Sequence, residues 1–217
     1  MKSRTKTPVG PDTLRAMLLQ AGIDGIAGIE ELGDGEFNTA YKVTAASGRF
    51  VVKIAPQAGA DVLTYEKNLM ATELAVYELI AKNTDVRIPK VLYQSGAAAG
   101  SPWFIMEYLP GRPLTKAKLT KAQRQNVMFE LGQSAAKINA LKNDRFGYIQ
   151  NGLKATWKEA YSAMLAAVLA DAQRLGLKVP HKEKILRLIG QNADVLDEVT
   201  QARLIHFDLW QGNIFVS

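Results

Sequence analysis

Leu204-Ile205-His206-Phe207-Asp208-Leu209-Trp210-Gln211-Gly212-Asn213-Ile214-Phe215-Val216 is an apolar run broken by His206, Asp208 and Asn213. Polar groups set among apolar neighbours need partners. An aspartate can take the proton of a hydroxyl as general base. The amide oxygen of Asn213, five residues further on, can ligate Mg2+, a hard cation that prefers oxygen donors. The alternative is a plain turn that contains a hydrogen-bonded histidine.

Three earlier segments also hold residues that a folding argument does not require. Leu32-Gly33-Asp34-Gly35-Glu36-Phe37-Asn38-Thr39-Ala40-Tyr41 is a glycine-containing turn between two predicted strands. Glycines let backbone N–H groups approach a phosphate closely, although Asp34-Gly35 also suits an ordinary hairpin. A dinucleotide-binding loop is disfavoured, because no helical pattern opens after the glycines. Lys53 lies inside the apolar run Phe50–Ile54. It is either a solvent-facing residue of an alternating strand or an amine held by a carboxylate. The predicted helix over 64–82 offers Glu66, Glu73 and Glu78, with Glu73 at its middle. Finally, Trp103–Leu109 is an apolar strand that runs into the break Pro110-Gly111. Such a connector can end a core strand, or offer its backbone groups to a flat ligand.

The remaining pattern organises these segments. A short helix over 12–21 precedes strands at Ile26–Leu32, Ala40–Ala45 and Arg49–Ile54, the helix over 64–82, and strands at Lys90–Gln94 and Trp103–Tyr108. After Pro110-Gly111 the character turns helical. Thr120-Lys121-Ala122-Gln123 has the form of a capping box. Apolar spacing predicts long helices over 156–175 and 181–199, and β character returns at Ala202–Ile205. A strand-rich part over 1–107 followed by a helical part over 108–217 makes an α+β protein of two lobes.

Composition narrows the chemistry. The 217 residues contain no cysteine, which excludes disulfides, thiolate metal sites and a cysteine nucleophile. Two histidines, His181 and His206, are too few for an all-histidine metal site. The net charge of +6 suits an anionic ligand without naming it. Lys116, Lys118, Lys121 and Arg124 cluster, but no aromatic interleaving accompanies them, so a nucleic-acid partner is not expected. No membrane-spanning segment or signal sequence is visible, and the expectation is a cytoplasmic monomer or homodimer.

His206-x-Asp208-(four residues)-Asn213 resembles the catalytic loop of the kinase-like phosphotransferases. The earlier segments then fall in that family's order: glycine-containing loop, strand lysine, helix glutamate, connector. Within it the chain is similar to the aminoglycoside phosphotransferase and choline kinase branch. The loop ends Gly212-Asn213, and a long, mostly helical path separates Tyr108 from His206. Asp208-Leu209-Trp210 is similar to fructosamine kinase-like members.

The resemblance implies a protein kinase-like two-lobed fold, with an antiparallel sheet plus helix in the N-terminal lobe and a mostly helical second lobe. It implies transfer of the ATP γ-phosphate to a hydroxyl of a small molecule such as an aminoglycoside, amino sugar or fructosamine. Gly33, Gly35, Asn38 and Thr39 would then cover the phosphates, and Lys53, held by Glu73, would contact them. Glu107, Tyr108 and Leu109 would take the adenine through their backbone. Asp208, with His206, would be catalytic, and Asn213 would bind Mg2+. A pocket for cationic aminoglycosides should be acidic, and Glu130, Asp144, Glu159 and Asp171 are the candidates in the helical part. The family places a further Mg2+-binding aspartate beyond the asparagine, whereas this sequence ends at Ser217. Little or no turnover is therefore expected of the chain as given, and a catalytically dead nucleotide-binding module is the alternative.

Overall fold

The structure, a computed structural model, describes residues 5, 6, 8–33, 37–96 and 101–217. These form two compact units. The first comprises residues up to Val62 with Glu73–Glu78 and Arg87–Pro110. The second comprises Leu63–Thr72, Leu79–Val86 and Gly111–Ser217. Segments 63–72 and 79–86 thus pack with the helical part although they precede it in sequence.

The first unit is built on five antiparallel strands: β1 (Ile26–Leu32), β2 (Thr39–Ala45), β3 (Gly48–Ile54), β4 (Val91–Gln94) and β5 (Trp103–Glu107). Their order in the sheet is β1-β2-β3-β5-β4. Alternation along the strands sends Tyr41, Val43, Ala45, Val52, Ile54, Trp103 and Ile105 into one core. Leu14 and Leu18 of α1 (Pro11–Gln20) join it, placed on one face by their i, i+4 spacing. Pro11 opens that helix at the position where a missing N–H costs nothing. Lys53, between Val52 and Ile54, therefore belongs to the opposite face of β3, where it is in register with Ala40 and Phe104.

The helix α2 (Leu69–Asn83) takes part in both units, its residues 73–78 in the first and its ends in the second. It is shorter than the spacing over 64–82 predicts. Thr64–Glu66 instead forms a 3-10 turn, Lys67 is extended, and Asn68 takes φ 57. The helical path is broken at Lys67 and Asn68, and the turn before it is anchored by Asp171, which accepts the Thr64 N–H at 2.6 Å and its hydroxyl at 3.0 Å.

In the second unit, α3 (Lys121–Asn139) starts at the predicted capping box, with Gln123 N–H donating to Thr120 Oγ1 at 3.3 Å and Thr120 N–H to Gln123 Oε1 at 2.9 Å. A second box, Thr156 with Glu159, opens α4 (Trp157–Arg174). The single helix predicted over 181–199 is two, α5 (Lys182–Gln191) and α6 (Ala193–Leu196). The Asn192 side chain donates back to the Leu188 carbonyl at 2.7 Å, the local competition that makes asparagine a helix end. Two short strand pairs complete the unit: Arg112–Pro113 with Phe215–Val216, and Lys142–Asn143 with Ala202–Arg203. The predicted strand Ala202–Ile205 is thus cut to two residues.

Candidate active site

On the first unit, the Lys53 ammonium forms an ion pair with Glu73 Oε1, while Glu66 is engaged elsewhere, accepting the Leu63 N–H at 2.8 Å. The lysine also stands over the Phe104 ring, 5.6 Å from its centre, and Phe104 meets Tyr77 edge-on at 6.3 Å. Burial first, and then the charge of Glu73, pushes the Tyr77 hydroxyl well above its ordinary range, so the phenol stays protonated beside the carboxylate. Sequence reasoning missed Tyr77. Its signal was its place one turn after Glu73 on the same helix face.

Gly33 lies at the exposed end of β1, with nothing among the described residues where a side chain would stand. Gly35 lies outside the described residues. Asn38 Oδ1 and Thr39 Oγ1 are buried without a hydrogen-bond partner among the described residues. Native proteins leave few such groups, and these two lie where the predicted phosphate-binding segment enters β2.

In the connector, the Glu107 N–H is used by the Lys90 carbonyl at 2.9 Å, and the Tyr108 N–H by the Arg49 carbonyl at 3.4 Å. The Leu109 N–H makes no hydrogen bond among the described residues. Of the three backbone donors named for the adenine, only that of Leu109 is free for a ligand. The Tyr108 ring is held by the Arg49 guanidinium, 4.9 Å from the ring centre.

On the second unit, the loop that carries His206, Asp208 and Asn213 is tied at both ends by the two short strand pairs. Leu204 N–H donates to the Leu141 carbonyl at 2.9 Å, and Leu114 N–H to the Ile214 carbonyl at 2.8 Å. Gly111 is needed beside this junction. Its φ is 151, and a Cβ there would stand 3.0 Å from the Val216 carbonyl oxygen.

Inside the loop, Asp208 N–H donates to the His206 carbonyl at 2.7 Å, closing a γ-turn with Phe207 at φ 62. This form of the turn is rare and strained, and bulky residues avoid positive φ. His206 contributes that carbonyl, and its imidazole makes no hydrogen bond among the described residues. Asn213 Nδ2 donates to Asp208 twice, to its carbonyl at 2.9 Å and to Oδ2 at 2.8 Å. Both partners are acceptors, so the amide orientation is fixed: nitrogen toward Asp208, oxygen away from it. Gly212 lies under the Trp210 ring, which a Cβ would approach to 2.3 Å.

The donor chemistry fits Mg2+ held mainly by phosphate oxygens and water, with one oxygen from the protein. Asn213 Oδ1 would be that oxygen. Among the described residues no group of three or more histidines, cysteines or carboxylates could hold a metal by itself.

Two of the four carboxylates named for an acidic acceptor pocket have other duties. Glu159 caps α4, and Asp171 is buried (5% exposed) against Thr64 and Arg174. Glu130 and Asp144 are exposed.

Residues 28–217 match the phosphotransferase enzyme family APH. The chain belongs to this family. Its fold agrees. The aminoglycoside phosphotransferase APH(4)-Ia superposes with a TM-score of 0.65 at 14% identity, over 96% of this chain and 68% of that one. A thermostable mutant of the same enzyme, solved as a ternary complex with AMP-PNP and hygromycin B, gives 0.64 at 13% identity over the same shares. The aminoglycoside phosphotransferase APH(2")-IIIa, solved with GDP and kanamycin, gives 0.60 at 17% identity, again over 96% and 68%. The mixed α+β architecture with its antiparallel N-terminal sheet is that of these phosphotransferases, and the chain spans about two thirds of their length.

Proposed function

We propose that this phosphotransferase transfers the γ-phosphate of ATP to a hydroxyl of a small molecule, and that Asp208 is its general base. The observation that carries the reading is the double hydrogen bond from Asn213 to Asp208. It aims the carboxylate and leaves both Asp208 Oδ1 and the asparagine oxygen without another partner among the described residues. In the reaction, the bond between the γ-phosphorus and the β,γ-bridging oxygen breaks and one to the acceptor oxygen forms. The acceptor proton passes to the Asp208 carboxylate. Lys53, held by Glu73, neutralises charge on the nucleotide phosphates. Asn213 Oδ1 would hold Mg2+, which supplies further charge neutralisation when bound. Leu109 N–H offers a backbone hydrogen bond to the base. Most of the rate advantage would come from positioning and electrostatics.

For the acceptor, the engagement of Glu159 and Asp171 leaves Glu130 and Asp144, of the four candidates, to meet a polycation. Aminoglycosides, amino sugars and fructosamines are therefore separate arms of one test. It follows label from γ-labelled ATP, with GTP as a second donor, into each acceptor in the presence of Mg2+. The reading predicts that transfer, wherever it is detected, is lost in Asp208→Asn while nucleotide binding persists. Transfer that survives in that variant overturns the base assignment. Nucleotide binding without transfer to any acceptor would make the chain a nucleotide-binding module.

A further inference from the structure

We propose that Tyr148 is a positioning residue for the Asp208 loop, and that it couples this loop to the segment leading into α2. The proposal rests on the reading of Asp208 as the reacting base.

The loop has a mechanical problem. Phe207 holds a positive φ next to Asp208, yet its side chain is 66% exposed, so burial does little to fix it. A backbone in a sparsely populated region persists only where the surroundings over-determine it. The described ring contact of Phe207 is with Tyr148, edge-on at 89° and 5.4 Å between centres, the favoured geometry of an aromatic pair. Tyr148 in turn meets Tyr65 at 5.8 Å. The turn that follows Tyr148 holds the same segment from a second side. Gln150 Nε2 donates to the Tyr65 carbonyl at 2.5 Å, and Thr72 Oγ1 donates to Gln150 Oε1 at 3.4 Å. One step earlier, Thr64 is fastened to Asp171.

Residues 148–150 therefore touch both the strained turn before Asp208 and the lead-in and first turn of the helix that carries Glu73. All these contacts lie within the second unit. The Tyr148 hydroxyl makes no hydrogen bond among the described residues, so the ring does the work. Shifting Tyr148 would release the γ-turn and loosen residues 64–68 together.

Hydrogen exchange on the full chain, followed by mass spectrometry in the native protein, tests this. Tyr148→Ala is expected to speed exchange in both 204–213 and 64–68 by roughly three- to tenfold, the size of one aromatic pair. Tyr148→Phe should match the parent, and β2, β3 and β5 should not change. Phe207→Ala should also speed exchange at 64–68, which it does not touch. Three results overturn the proposal: a uniform rise in all segments, an effect of Phe207→Ala confined to its own loop, or Tyr148→Phe behaving like Tyr148→Ala. A thermal melt of the parent with Mg2+-ATP is run alongside. Absence of a shift there counts against the kinase reading, whereas the coupling of the two segments stands or falls on exchange alone.

Discussion

The two units solve the problem of holding a reactive group in different ways. In the first, Val43, Val52, Phe104 and Ile105 are fully buried, and Lys53 stands on a strand whose other face is sealed against α1. In the second, Asp208 stands on a loop with Ile205, Phe207, Leu209, Trp210 and Phe215 all exposed. Of the large exposed apolar residues among the described residues, only Leu19 and Leu92 belong to the first unit. Burial fixes the lysine. Hydrogen bonds and local ring contacts fix the aspartate. Loops held in this way draw from the low-stability end of a structure.

Truncation of the dry core should have the largest effect. Ile105→Ala is expected to cost roughly 2–5 kcal/mol, the range for a fully buried aliphatic residue. Denaturant unfolding monitored in the first unit reads it, and a loss below about 1 kcal/mol would show that the sheet is not the rigid partner.

The polar clamp of the second unit comes next. Asp171→Asn should cost roughly 1–3 kcal/mol, because the Thr64 N–H and hydroxyl lose a charged acceptor. Its pH dependence has a definite sign. The Thr64 hydrogen bond is the main cause that holds the Asp171 carboxyl below its ordinary value of 3.8. The folded state therefore keeps the charge longer than the unfolded chain does. The stabilisation is complete above that value and is lost as the pH falls below it. Melts taken from pH 5 downward should show a decline in the parent that Asp171→Asn lacks. Equal slopes would remove the clamp from the account.

A smaller effect is expected at the loop itself. Gly212→Ala must displace the Trp210 ring, which a Cβ would approach to 2.3 Å. Tryptophan emission should change while the stability of the first unit stays within about 0.5 kcal/mol of the parent. Unchanged emission would mean that Trp210 does not lie over the loop. Smallest of all is Leu186→Ala on α5. The residue is 44% exposed, so its loss should stay within about 1 kcal/mol. A much larger loss would show that the apolar surface of the second unit is covered in solution.

The same contrast explains what could be read from the sequence. The strands of the first unit were legible because alternation is a local signal, and Val52-Lys53-Ile54 states it in three residues. The capping box at Thr120–Gln123 and the spacing of His206, Asp208 and Asn213 are equally local. The choice of Glu73 over Glu66 was not, since it depends on where α2 begins and on Glu66 turning back to the Leu63 N–H. The break at Asn192 escaped because apolar periodicity continues across it. Tyr148 left no mark at all: its importance lies in contacts with Tyr65 and Phe207, which no pattern along the chain announces.

In the proposed nucleotide site, Lys53, paired with Glu73, meets phosphate. A thermal melt with and without Mg2+-ATP tests it most directly, because a ligand that binds only the folded state raises the melting temperature by mass action. An upward shift that grows with nucleotide concentration and disappears in Lys53→Ala is expected, with a cooperative melt in both proteins. A cooperative melt with no shift, or a shift that persists in full without Lys53, would contradict it.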